Sequence, residues 1–183
     1  MSGAVSAPSA TGEPGSIWDA RLIWVTLGAV ALIFLAAIQA LAMTTVMPII
    51  SAELDGDALY ALAFAGTLAT GVIGMVVTGA WPERSGPKGP LYASIALFLV
   101  GLLIAGAAPN MEILVLGRLA QGLGTGGRTV ALYVVVARVY PPAIHGRVFA
   151  AFAAAWVVPS LIGPLLAGAV TEHLQWRWVF FGV

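Results

Sequence analysis

The chain has 183 residues, of which 60% are hydrophobic and only 9% charged, with a formal net charge of zero. A soluble globular domain carries about 25% charged residues, so this composition and a mean hydropathy of +0.98 exclude an ordinary water-soluble domain and make lipid the solvent. Zero net charge leaves no electrostatic footprint for nucleic acid, and the absence of cysteine removes disulfides, thiolate metal sites and cysteine nucleophiles.

Residues 1–20 are rich in Ser, Ala, Gly and Pro and read as a disordered cytoplasmic tail. They do not form a secretory signal: Arg21 is the first basic residue, at the edge of an apolar run too long for a signal core. Residues 21–183 read as one transmembrane domain. Apolar runs cover residues 22–50, 58–81, 91–108, 111–140 and 148–170, and a sixth begins at Trp178. At about 1.5 Å per residue each of the five can cross about 30 Å of hydrocarbon. Lipid offers backbone groups no partners, so the runs are helices and the fold class is an all-α membrane protein. Short links at 51–57, 82–90, 109–110, 141–147 and 171–177 make consecutive helices antiparallel.

One side of this arrangement carries Arg21, Arg84, Lys88, Arg138 and Arg147, and the other only Arg177. Glu53, Asp55, Asp57, Glu112 and Glu172 lie opposite the basic side. The excess of Lys and Arg makes the N-terminus and the 79–88 turn cytoplasmic.

Gln39 and Thr44 are the polar candidates of the first run. The fourth run holds Gly117-Arg-Leu-Ala-Gln-Gly-Leu-Gly-Thr-Gly-Gly-Arg128. Helical spacing places Arg118, Gln121, Gly122, Thr125 and Thr129 on one face, with Arg128 at its shoulder. Arg at a bilayer centre costs about 2.5–3.5 kcal/mol on insertion scales, so Arg118 must face a partner or a wet cavity. Two readings stand at this point: a polar stripe along a substrate or proton path, or a structural Arg satisfied by neighbouring carbonyls with glycines for packing. For Arg128 the alternative is snorkelling to the cytoplasmic interface.

In the fifth run Pro159-Ser-Leu-Ile-Gly-Pro-Leu-Leu-Ala-Gly168 reads as a kinked, tightly packed helix. Trp176-Arg-Trp178 reads as an interfacial aromatic anchor. His145 and His173 fall in links, without metal-ligand spacing. Apart from Glu112 at the edge of the fourth run, no Asp or Glu lies inside the five runs. No phosphate-binding sequence suggests nucleotide hydrolysis, and neither an enzyme activity, a cofactor nor a metal is expected.

The most specific feature is the charged turn between the second and third runs. Its pattern Gly79-x-x-x-Glu83-Arg84-x-Gly86-x-Lys88 resembles the loop signature of the major facilitator superfamily. Arg118-x-x-Gln121-Gly122-x-Gly124 resembles that superfamily's span-four motif, and Gly163-Pro164-x-x-x-Gly168 the span-five motif of its drug:proton antiporters. Thr44-Thr-Val-Met-Pro48 and Trp176-Arg-Trp-Val-Phe180 are similar to segments of the multidrug-efflux branch. The motifs fall in family order over residues 21–183. Pro87, Pro159 and Ala167 depart from the family pattern, and Arg128 adds a charge to it.

The resemblance implies the N-terminal six-helix half of a carrier that rocks two halves around a midplane site. The carrier would be a multi-pass plasma-membrane protein exporting drugs or other small amphipathic molecules in exchange for protons. Carried over residue by residue, Gly79, Glu83, Arg84, Gly86 and Lys88 would form a cytoplasmic gating loop. Arg118, Gln121 and Thr125 would line the cavity or proton path, and Gly163, Pro164 and Gly168 would form a helix-five hinge. The partners implied are the bilayer, a small-molecule substrate, protons and a C-terminal half; nucleic acid is not among them. Half a rocking pair cannot alternate access alone, so the chain is expected to belong to a longer transporter. A metabolite or sugar carrier on the same fold, and a truncated membrane protein without transport activity, are the alternatives.

Overall fold

The computed structural model describes residues 22–81, 88–173 and 176–181; at positions 164, 166, 167 and 170–173 it describes the backbone alone. The expected tail, residues 1–20, lies outside these. The described residues form helices α1 (Ile23–Glu53), α2 (Asp57–Gly79), α3 (Lys88–Gly106), α4 (Met111–Val139), α5 (His145–His173) and the start of α6 (Trp178–Phe181), with a 3-10 turn at Pro142–Ile144 ahead of α5. No strand occurs among them.

Local chemistry sets the helix boundaries. Asn110 caps α4 by accepting a hydrogen bond from the Ile113 N–H at 3.0 Å. Between α1 and α2, the Gly56 N–H returns to the Ser51 carbonyl at 2.8 Å, and Asp55 takes a left-handed φ of 48°, the geometry that closes a helix C-terminus within a few residues. The Ser51 hydroxyl donates to Asp57 Oδ1 at 2.7 Å and fastens the turn to α2.

The helices extend past the apolar runs, because an interfacial turn can stay helical while its side chains reach water. Thus α1 continues to Glu53 and α3 begins at Lys88. Similarly, α5 spans His145 to His173, so both histidines end a helix instead of sitting in links. His145 Nε2 lies 2.8 Å from the Tyr140 carbonyl. Helices α1, α2, α3 and the stretch 142–163 are long and apolar enough to cross a membrane. The remaining expected span, α4, is long enough at 29 residues, but Arg118, Gln121, Arg128 and its glycines dilute its apolar character. Large apolar side chains such as Trp24, Leu68, Leu161 and Leu165 are strongly exposed, as a lipid-facing surface requires.

Two apolar cores close the two ends of the bundle. One joins Met43, Val46, Met47 and Ile50 of α1 to Leu102 of α3, Leu114 of α4 and Phe180 of α6. The other joins Ala29 of α1 to Leu132 and Val136 of α4 and to Val148 and Phe152 of α5. The closest helix pairs are α2 with α4, α3 with α4, and α1 with α5. Exchanging α1–α3 for α4–α6 in order maps the α2–α4 pair onto α5–α1, the pattern of a repeated three-helix unit.

Glycine decides how α4 sits. A Cβ on Gly126 would strike the Gly71 carbonyl, and one on Gly122 the Thr67 carbonyl, so these two positions meet the α2 backbone. On another face, Cβ atoms at Gly117 and Gly124 would meet the α3 backbone at Ala105 and Phe98, 2.6 and 2.5 Å away. Helix α4 therefore touches two neighbours backbone to backbone, the arrangement small residues permit in lipid.

Substituting Gly126→Leu forces a side chain into the rigid Gly71 backbone and should cost more than the about 1–3 kcal/mol typical of overpacking. Detergent size-exclusion profiles and thermal unfolding should show an aggregated or strongly destabilised protein. At Gly79 a Cβ would meet nothing within 4 Å among the described residues, so Gly79→Ala should change stability by less than about 0.5 kcal/mol.

Candidate functional site

Between the two cores the third face of α4 is left without a helix against it. A cavity of about 470 Å³ opens there, bounded by Gln39 and Thr44 of α1, Phe64 and Met75 of α2, Phe98 of α3, Arg118, Gln121 and Thr125 of α4, and Trp156 of α5. A second cavity of about 470 Å³ adjoins it, reaching Arg128, Thr129 and Tyr133 of α4 and Phe149 and Phe152 of α5. Ala36, Thr125 and Trp156 border both. The two cavities follow α4 past both arginines, which stand about 15 Å apart along the axis.

Arg118 and Gln121 act as a unit. Arg118 Nη1 donates to Gln121 Oε1 at 2.7 Å, one helical turn away. Both are buried, with 8% and 1% of their surface exposed. Arg118 Nε, Gln121 Nε2 and both amide atoms of Gln39 are buried without a hydrogen-bond partner. A buried polar atom in this condition costs about 1–3 kcal/mol, and such an exception calls for a reason beyond packing. Arg128 is also buried, and its guanidinium lies 4.8 Å from the centroid of the Phe98 ring. Among the described residues none that borders either cavity is an acid.

Of the residues singled out by sequence, Arg118, Gln121, Thr125, Gln39 and Thr44 are therefore brought together at one cavity. Gly163 packs against α1, where its Cβ would stand 3.3 Å from Leu41 Cβ; a Cβ at Gly168 would meet nothing within 4 Å among the described residues. Helix α5 is continuous through positions 159–168. In the turn, Gly79 ends α2 and Lys88 begins α3; Glu83, Arg84 and Gly86 lie outside the described residues.

Trp176 corrects one expectation. It is buried, at 3% exposure, and its Nε1–H donates to Glu53 Oε2 at 2.9 Å. Arg177 stacks on its ring at 4.4 Å and donates to the Gly106 and Ala108 carbonyls at 3.1 and 2.8 Å. The segment is a clasp tying α6 to the ends of α1 and α3, and Trp178 alone of the two tryptophans is exposed. The aromatic borders of the cavities, Phe64, Phe98 and Trp156, were not distinguishable in sequence from lipid-facing aromatics.

The buried polar stripe on a glycine-packed fourth helix is the arrangement the span-four motif implies. The family model described as Major Facilitator Superfamily matches residues 4–183. The chain belongs to the Major Facilitator Superfamily. This major facilitator chain is 40% identical over 162 residues to an uncharacterized MFS-type transporter of Schizosaccharomyces pombe, covering 88% of the chain and 27% of that protein. It is 33% identical over 171 residues to MFS transporter L2 of a Phoma species, covering 92% and 28%. It is 32% identical over 149 residues to the MFS efflux transporter aclA of Aspergillus oryzae, covering 81% and 27%. The chain spans about a quarter of the length of the curated relatives it matches.

The two glutamines should separate in stability. Gln121→Leu removes the acceptor of a buried cation and should lower the unfolding midpoint, by about 1.5–3 kcal/mol in free energy. Gln39→Leu removes an amide that no partner satisfies, and should leave the midpoint unchanged or raise it. Thermal unfolding of both variants in detergent checks the contrast.

Proposed function

We propose that the chain supplies helices one to five and the start of helix six of a secondary active transporter that exports small amphipathic molecules in exchange for protons. The single observation that carries this reading is the bonded pair Arg118–Gln121, buried beside a largely apolar cavity with hydrogen-bonding capacity left over. Apolar walls suit a hydrophobic body, and a few fixed polar groups orient it. The efflux relative of Aspergillus oryzae supports export as the direction. The coverage of the relatives supports a further set of helices against which this half rocks. Proton exchange rests on the antiporter motif in span five. No acid among the described residues borders the cavity, so in this reading the titrating carboxylate comes from the rest of the carrier.

The distribution of Lys and Arg supports a plasma-membrane carrier with a cytoplasmic N-terminus. On that side Gly79, Glu83, Arg84, Gly86 and Lys88 would latch helix ends during gating, and Gly163, Pro164 and Gly168 would give helix five its hinge. A metabolite or sugar carrier is the second reading, favoured by the Gln39 amide and Gln121 Nε2, which have no partner among the described residues and would suit a hydroxylated substrate.

Full-length protein reconstituted in liposomes should drive dye efflux under an imposed pH gradient. Arg118→Ala should lower the rate at least about tenfold, the scale expected when one partner of a buried charged contact is removed. Equal rates in the two proteins would take Arg118 out of the mechanism. Sugar transport without dye transport would favour the second reading.

A further inference from the structure

The second cavity has a character of its own. Arg128 stands near the middle of α4 with 4% of its surface exposed. One face of its guanidinium is covered by Phe98 at 4.8 Å. A guanidinium has five N–H donors, and among the described residues none of them meets an acceptor. The snorkelling alternative fails, since the head group is held inward over an aromatic ring. Thr125 and Tyr133 border the same cavity, and neither hydroxyl has a hydrogen-bond partner among the described residues. The Thr129 hydroxyl is already committed to the Thr125 carbonyl at 2.9 Å. No acid among the described residues borders the cavity.

The same cavity has an aromatic border held by its own contacts. Tyr133 and Phe149 pack edge to face at 5.5 Å, and Phe149 and Phe152 at 6.1 Å. Trp156 closes the border with the first cavity. A volume of about 470 Å³ suits a small organic ligand.

We propose that this cavity is a binding site for aromatic carboxylates, with the anionic group on Arg128 and Thr125 and the ring against Phe149, Phe152 and Trp156. A cationic ligand would bring a second positive charge beside a buried guanidinium that has no acid to offset it. A neutral ligand would leave the guanidinium unpaired. A carboxylate matches its fork in charge and geometry. The site makes the exported class of molecule an organic acid; that last step rests on the efflux reading above, whereas binding does not.

The test uses full-length protein in phosphatidylcholine nanodiscs and compares 1-naphthoate with its neutral isostere 1-naphthamide by calorimetry. Wild type should bind the acid at least about tenfold more tightly than the amide. Arg128→Gln should abolish that preference and leave amide affinity unchanged, while Arg118→Gln keeps the preference. Equal binding of acid and amide by wild type, or loss of the preference in Arg118→Gln alone, would overturn the site. Should Arg128→Gln not fold, photolabelling of wild type with 4-benzoylbenzoate decides. Adducts on residues 129–133 or 149–156 support the site, and adducts confined to 64–75 overturn it. Displacement of naphthoate by added phosphatidylglycerol but not by benzoate would make an anionic lipid headgroup the occupant and also overturn it. Acid-selective binding without transport would sink the efflux reading and keep the site. Dye efflux without acid selectivity would do the reverse.

Discussion

The backbone contact of α4 with both α2 and α3 is the constraint on which the rest depends. Lipid supplies no hydrophobic drive between helices, so association relies on close packing. Gly122 and Gly126 bring α4 onto the carbonyls of Thr67 and Gly71, and Gly117 and Gly124 bring it onto α3. Once two faces of a helix are fixed in this way, its third face has only one direction to point. Arg118, Gln121 and Thr125 lie on that face, so the glycines decide where the charge goes. The same glycines make α4 the least lipid-like of the long helices, which is tolerable because it is enclosed by α2 and α3.

The apolar cores complete the arrangement by closing the ends and leaving the middle open. Met43, Val46, Met47 and Ile50 pack against Leu114 and Phe180 at one end. Ala29 and Val136 pack against Val148 and Phe152 at the other. Between them α1 presents Ala36, Gln39 and Ala40 to the cavity. Small residues there keep the space open, and Gln39 adds polarity to its edge. The clasp of Trp176 on Glu53 and of Arg177 on the α3 carbonyls holds one end shut. A bundle that is firm at its ends and polar in its middle suits a half-carrier, since substrate contact near the midplane then requires no unfolding of either core.

Much of this was legible in the sequence. The helices emerged from apolar run length because lipid demands a fixed span, whereas the caps at Asn110 and Asp55-Gly56 emerged only in the structure. The meeting of Arg118, Gln121 and Thr125 followed from helical spacing. Long-range pairings did not. Nothing near Trp176 reveals that Glu53, 123 positions away, accepts its hydrogen bond, so an interfacial anchor was the natural reading. Nothing local joins Phe98 to Arg128 or sets Trp156 at the border of two cavities apart from the lipid-facing aromatics. Apolar periodicity is a weak guide where both lipid and protein interior are apolar: it says that a residue avoids water, not which neighbour it meets.

The absence of cysteine makes the central claim, that glycine packing turns the polar stripe of α4 into a water-reachable cavity, open to direct measurement. Single cysteines would be placed at Thr125 and Thr129, which are half-buried on the stripe, and at Val115 and Ala131, which are buried at 5% and 2% exposure. A hydrophilic methanethiosulfonate reagent should modify positions 125 and 129 and leave 115 and 131 unreacted. Equal reactivity at all four, or protection of 125 and 129 with reaction at 115 and 131, would contradict the orientation of α4 on which the site is built.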